Sequence, residues 1–150
     1  MDATALPILP PVAALTLFAL WTMTLVLAVG LWRTSLVFAG RAKANSFTPG
    51  MQHGGDTYWR LNRAHVNAVE NLPIFGTLVL AGSYLQVPDL AFQLLPSLVL
   101  YARVAQSLIH IASGSAVAVT LRFVAYGVQL VSMIALAGIV ARHAGVPMPW

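Results

Sequence analysis

Cysteine is missing from this chain, and acidic residues are nearly so: four Asp and Glu among 150 residues. Without cysteine there are no internal disulfides and no thiolate metal sites, and the redox compartment stays open. Charged residues of both signs make up only 8% of the chain, against about 25% in an ordinary soluble domain. There is no internal repeat and no low-complexity tract. The net charge of +4 comes from basic residues scattered through apolar sequence. A nucleic-acid binder needs a solvated basic face, so that partner class is excluded.

Apolar sequence fills the space left by charge, at 59% of the residues. A chain of this length and composition makes one membrane-embedded bundle, a single domain over residues 1–150. Four apolar segments run over about 11–32, 63–85, 90–111 and 119–141. Each is near the roughly 20 residues that a helix needs to cross a bilayer. Open strands are excluded there because backbone groups must be satisfied internally. The expected fold is all-α, a four-transmembrane-helix bundle. Gln86 to Asp89 is a very short link, so the second and third helices form an antiparallel hairpin. "SGSAVAV" (Ser113 to Val119) reads as another link. The one substantial loop is 34–59, with the turn formers of "NSFTPGMQHGGDTYW". The start "MDATALPILPP" has no basic n-region, and the first run is longer than an ordinary signal h-region, so it reads as a retained helix.

Basic residues set the expected orientation. Arg33, Arg41, Lys43, Arg60 and Arg63 lie in or beside the long loop, whereas the short loop at Pro88 has Asp89 and no cation. The positive-inside rule makes the long loop cytoplasmic and puts both termini outside, with Arg142 as a mild dissent. Arg33, Arg60, Arg63, Arg103 and Arg122 then gather from four helices at one membrane face.

The second helix poses the sharper question. Its polar start, "RLNRAHVNAVEN", precedes an apolar run from Leu72 to Leu85. That run covers about 21 Å, short of the roughly 30 Å hydrocarbon core. The turn with Asn67, Glu70 and Asn71 therefore reaches the membrane. Arg60, Arg63, Asn67, Glu70 and Asn71 share one helix face, and His65 points the opposite way. In the third helix Arg103, Gln106, Ser107 and His110 share a face. A mid-bilayer charge costs about 2.5 to 3.5 kcal/mol even on the mildest scale, so both stripes should face each other, a neighbouring subunit or a polar cavity.

Plainer readings stand beside this one. Arg33, Arg41, Lys43 and Arg142 each fit a cation snorkelling to the headgroups. Glu70 fits a structural partner of Arg63, Arg103 or Arg122. His65 and His110 alone fit hydrogen-bonded interface residues better than metal ligands. Pro73 fits a kink that frees the Val69 carbonyl. Trp21, Tyr84, Phe92 and Trp150 fit core or interfacial belt. The cluster nonetheless has several arginines for one intramembrane acid, and excess buried cation asks for an anionic partner.

"RLNRAHVNAVENLPIF" (Arg60 to Phe75) resembles the signature of the MAPEG family, the membrane-associated proteins in eicosanoid and glutathione metabolism. It departs from R-x-x-R-A-H-x-N-x-x-E-N-x-x-P-F only in the Pro-to-Phe spacing. "LYARVAQSLIHI" (Leu100 to Ile111) looks like the family's third helix and "RFVAYG" (Arg122 to Gly127) like its fourth. "LWRTSLVFAG" (Leu31 to Gly40) is a looser match to the end of the first. The resemblance covers essentially the whole chain and implies a homotrimer with glutathione between subunits near the cytoplasmic face. By motif match, Arg60, Arg63, His65, Asn67, Glu70 and Asn71 would contact glutathione; Arg33 and Arg103 match more loosely. Where members often carry Tyr seven residues after the third-helix Arg, this chain has His110. Where prostaglandin-synthesising relatives have His, it has Gln106. The catalytic Arg at the start of the fourth helix corresponds to Arg122, provided that the preceding loop is about three residues longer here.

The implied chemistry is thiol activation without a metal. Arginine forks suit the two glutathione carboxylates, and Glu70 suits its ammonium. Arg122 would favour the thiolate, with His110 or Tyr126 as helpers. An apolar electrophile or lipid hydroperoxide would enter from the lipid. The residues also admit a non-catalytic lipid-binding or structural subunit, and an ion or proton pathway built from Arg, Glu and His.

Overall fold

The computed structural model describes residues 7–48, 50–52 and 54–147; Asp2 and Trp150 lie outside them. Four helices follow one another: α1 (Pro11–Phe38), α2 (Asp56–Tyr84), α3 (Leu90–Ala112) and α4 (Ala116–His143). Three of them, α1, α3 and α4, are long and apolar enough to cross a membrane. The polar first half of α2 keeps it out of that set.

The helices overrun the apolar segments that announce them. α1 continues six residues past Trp32, α2 begins seven before Arg63, and α4 begins three before Val119. The long loop shrinks from the expected 34–59 to 39–55. Hydropathy marks where a helix meets lipid, whereas backbone hydrogen bonding continues until a cap stops it. Pro11 opens α1 at a position where its missing N–H costs nothing. Gly40 ends it in the left-handed region at φ 67°. Gly40 N–H donates to Val37 O and Arg41 N–H to Leu36 O, a paired closure that satisfies two orphan carbonyls. Gln86 closes α2 with the same pair of bonds at φ 53°, and Gly145 closes α4. The Ser115 hydroxyl accepts from Ala118 N–H at 3.3 Å and caps the start of α4.

α3 packs most extensively on α4, and α1 on α2. α2 and α3 touch every other helix, whereas α1 and α4 do not meet. The core lies around this α2–α3 diagonal. Phe18 and Phe75 rings sit 5.2 Å apart there, with Val79, Val99, Phe92 and Leu136 buried around them. Residues 7–10 lie along α3: Leu9 N–H donates to Ser97 Oγ at 2.8 Å and Tyr101 O–H to Pro7 O at 2.5 Å. α2 runs unbroken through Pro73 and α3 through Pro96. Of the aromatics named above, Phe92 is core, Trp21 is half-buried and Tyr84 is exposed.

Only 28% of the most apolar stretch of α1, and of α4, is buried inside the protomer. Leu20, Leu27, Leu31, Val131 and Ile134 are exposed on these helices. An apolar surface that size needs lipid or protein against it.

At the far end from the basic loop, Asp89 starts α3 but gives it no side-chain cap. Its carboxylate is taken by Arg142 Nη2 at 2.9 Å and His143 Nε2 at 3.2 Å. The dissenting cation of the orientation count is thus locally paired.

Four glycines, Gly76, Gly82, Gly127 and Gly138, are expected to permit close helix contact. Within the protomer only Gly82 does, because a Cβ there would fall inside the Phe92 ring. A Cβ on Gly127 or Gly138 would meet nothing. Gly82→Ala should therefore lower stability in detergent by about 1 to 3 kcal/mol, the range for overpacking. Gly138→Ala serves as the control. Equal melting temperatures for the two variants would mean that the α2–α3 hairpin does not depend on this contact.

Candidate functional site

Arg33, Arg60, Arg63, Arg103 and Arg122 gather toward the end of the bundle where α1 and α3 finish and α2 and α4 begin. They occupy three different environments. The innermost is a closed cleft between α2, α3 and α4, lined by Asn67, Arg103, Gln106, Ser107, His110 and Arg122. Its volume is about 10 Å³, which is room for about one water.

Arg103 is only 1% exposed. Its Nη1 donates to Gln106 Oε1 at 2.7 Å, and its guanidinium lies 5.8 Å from the Phe18 ring centroid. Gln129, wholly buried on α4, donates from Nε2 to the same Gln106 oxygen at 3.0 Å. Arg103 Nε and Nη2 and Gln129 Oε1 have no partner among the described residues. Glu70 and Tyr126 lie within electrostatic reach of the Arg103 charge. Ser107 folds its hydroxyl back onto Arg103 O at 2.9 Å. Beside them, Arg122 Nη1 meets the His110 ring. Arginine only donates, so the ring nitrogen that it meets must be the unprotonated one.

The second environment is a corner made by α1, α2 and the loop. Arg33 Nε donates to the Tyr58 hydroxyl at 2.6 Å, and its Nη2 reaches Asn62 Oδ1 at 3.5 Å. The guanidinium lies 5.3 Å from the Phe47 ring centroid and 5.9 Å from that of Tyr58. His65 is half-buried and feels the Arg33 charge. Arg60 ties the start of α2 to the end of α3, donating from Nε to Ile111 O at 3.2 Å and from Nη2 to Thr57 Oγ1 at 3.0 Å.

The third environment is the outer face of α2. Arg63 and Glu70 are exposed there, and neither makes an ion pair or hydrogen bond among the described residues. Asn71 is half-buried and Tyr126, on α4, is exposed.

The single polar stripe expected on α2 is therefore divided. Asn67 turns into the cleft, Arg60 spans to α3, and Arg63 with Glu70 faces outward. The α3 set stays together, as its spacing implies. Gln129, Tyr58 and Asn62 are participants that reading the sequence missed. Gln129 carried a signal: it stands seven residues after Arg122, on nearly the same face of an otherwise apolar helix.

The sequence model of the MAPEG family matches residues 11–142, nearly the whole chain. The chain belongs to the MAPEG family and is an integral membrane protein. No curated protein matches it.

The Gln106 oxygen serves two donors and is the one side-chain acceptor for Arg103. Gln106→Leu should cost about 1.5 to 3 kcal/mol, the value of a hydrogen bond to a charged group. Replacing the cation as well, in Arg103→Met with Gln106→Leu, should recover part of that loss, because no charge is then orphaned. Thermal unfolding in detergent compares the two. A double variant less stable than Gln106→Leu alone would contradict the pairing.

Proposed function

From membership of the MAPEG family, we propose that this chain is a glutathione-dependent transferase or peroxidase acting on apolar substrates in the membrane. The observation that carries the reading is the pair Arg63 and Glu70. They are opposite charges seven residues apart on the outer face of α2, and neither makes an ion pair or hydrogen bond among the described residues. Burying either charge alone in lipid is costly, and a zwitterion such as glutathione offers a carboxylate to one and an ammonium to the other.

α2 is too polar to cross the bilayer on composition alone, so in this reading it is the fourth crossing, hidden inside an assembly. A homotrimer with α2 at the subunit boundary covers its outer face and completes the site. Arg33, Arg60, His65, Asn67, Asn71 and Arg103 then hold or shape the bound tripeptide from the protomer side. The basic end of the bundle is taken as cytoplasmic and both termini as outside; the pairing of Arg142 with Asp89 supports this orientation.

Arg122 is the residue proposed to favour the glutathione thiolate. The thiol proton leaves to water or to His110, with Tyr126 as an alternative helper. In conjugation, the sulfur lone pair forms the new C–S bond as the leaving group departs with its electrons. In peroxide reduction, two glutathione thiols are oxidised to the disulfide while the hydroperoxide becomes an alcohol and water. The apolar groove between α1 and α3, about 590 Å³ and lined by Leu17, Trp21, Leu100 and Val104, supports an apolar second substrate arriving from lipid.

A second reading is a non-catalytic lipid-binding or structural subunit. It is favoured by the closure of the inner cleft and by the engagement of Arg122 with His110, which both describe a packed interior.

Two measurements separate these readings. Arg63→Ala should weaken glutathione affinity by about 1.5 to 3 kcal/mol with the oligomer intact, as for a charge-assisted hydrogen bond. Unchanged affinity would remove Arg63 from the site. Arg122→Ala should lower kcat strongly while leaving the glutathione Kd within a few-fold, the pattern of an interaction made with the reacting thiolate. Ultraviolet absorbance of the bound thiolate, with turnover of a chromogenic aryl halide, reads this out. Wild-type protein that binds glutathione with neither thiolate absorbance nor turnover of any apolar electrophile would favour the non-catalytic subunit.

A further inference from the structure

A second cationic region lies outside the cleft. Between the end of α1 and the loop is an open pocket of about 990 Å³, formed in part by Trp32, Leu36, Arg41, Lys43, Phe47 and Gly54. Arg41 and Lys43 are exposed, and among the described residues neither side chain has an acidic or hydrogen-bonding partner. From residue 3 to residue 55 there is no Asp or Glu; Asp56, which follows the pocket-lining Gly55, makes no ion pair with either cation among the described residues. The pocket wall is two-sided in chemistry. Trp32, Leu36 and Phe47 supply apolar wall, and Arg41 and Lys43 supply the charge.

The apolar side is continuous with the outer surface of α1. Leu20, Leu27 and Leu31 recur at offsets of seven and four, and Leu31 is 71% exposed. Ser35 extends the same face into the pocket, its hydroxyl satisfied by Trp32 O at 2.8 Å. Phe38, 88% exposed, flanks the opening. α1 is about 42 Å long, longer than the roughly 30 Å hydrocarbon core, so its last turns stand in the headgroup layer. An exposed Trp and Phe are at home at that depth.

We propose that this pocket binds the headgroup of an anionic phospholipid, with Arg41 and Lys43 on its phosphate and an acyl chain along the Leu20–Leu27–Leu31 face of α1. A soluble anion would use the cations and leave the apolar wall idle. A zwitterionic lipid also brings a phosphate, but its own cation offsets that charge and leaves the rim with excess positive charge. A single anionic amphiphile uses both wall and cations. The headgroup pocket shares no residue with the proposed glutathione site and survives if that reading fails; only Leu20 also borders the apolar α1–α3 groove.

The test is native mass spectrometry of the purified chain in detergent. It is titrated with dioleoyl phosphatidylglycerol, with dioleoyl phosphatidylcholine and with inorganic phosphate. The expected result is preferential retention of the anionic lipid. Each loop cation is worth roughly five-fold at a membrane surface. Arg41→Gln with Lys43→Gln should therefore weaken phosphatidylglycerol binding by about 10- to 30-fold and phosphatidylcholine binding by clearly less. Neither side chain packs within the protomer, and the single variants, each about five-fold weaker, provide a second measure. Arg142→Gln, at the other end of the bundle, should leave binding unchanged. Equal retention of the two lipids would overturn the proposal, as would insensitivity to the double substitution or an equal loss in Arg142→Gln. Displacement of the lipid by low millimolar phosphate would make the pocket a phosphate site instead.

Discussion

A guanidinium enclosed in an apolar helical bundle is the constraint around which this protein is arranged. Arg103 cannot shed its charge as a carboxylate or lysine would, so the surroundings must accommodate the cation. In direct contact they do so with neutral groups, the Gln106 oxygen and the Phe18 ring face; Glu70 and Tyr126 act only at longer range. Each is a weak substitute for water, and two of the guanidinium nitrogens stay unpartnered among the described residues. Gln106 holds α3 and α4 together by accepting from both Arg103 and Gln129. The most extensively packed helix pair is therefore also joined by buried polar atoms. His110 continues the same logic one turn further on, offering Arg122 a neutral acceptor instead of an acid.

The opposite problem governs α2. Its inner side packs on every other helix, yet Arg63 and Glu70 point away from the protomer. α1 and α4 present Leu, Val, Ile and Phe outward, a surface that lipid can cover. Lipid cannot cover Arg63 and Glu70 at comparable cost. One chain thus has two kinds of outer surface, and only the apolar kind is matched by lipid alone. This asymmetry is the physical basis for placing α2 at the proposed subunit boundary.

The helices were legible because apolar runs near 20 residues leave few alternatives in a membrane. Their ends were not, because capping follows backbone geometry: Leu36, Val37, Gly40 and Arg41 close α1 in sequence that carries no hydropathy signal. The α3 polar set was legible at offsets of three, four and seven, since one narrow face meets one neighbour. The α2 set was legible as polar but not as divided. Its residues spread over about 100° of arc, and a helix touching three others presents such an arc to several environments. Gln129 escaped attention because one amide in an apolar helix looks minor until its partner on α3 is known. Glycine spacing gave no discrimination between Gly82, pressed against Phe92, and Gly138, which touches nothing.

Charge is distributed unequally between the two ends of the bundle. At one end Asp89 takes both Arg142 and His143, so that end is close to neutral on its own. At the other end Arg33, Arg41, Lys43, Arg60, Arg63, Arg103 and Arg122 outnumber two acids, Asp56 and Glu70. Some of these cations are spoken for by neutral groups: Arg33 by Tyr58, Arg60 by Ile111 O and Arg122 by His110. A hydrogen bond to a neutral acceptor satisfies geometry but leaves the charge uncompensated. The basic end therefore keeps a positive field whatever its internal hydrogen bonding, and low-dielectric lipid beside it strengthens that field. The two proposed anionic partners differ in shape, a small zwitterion carrying excess carboxylate and a lipid phosphate, and the same field would draw both to this end. What separates them is local: opposite charges on the outer face of α2 for one, an apolar wall beside Arg41 and Lys43 for the other.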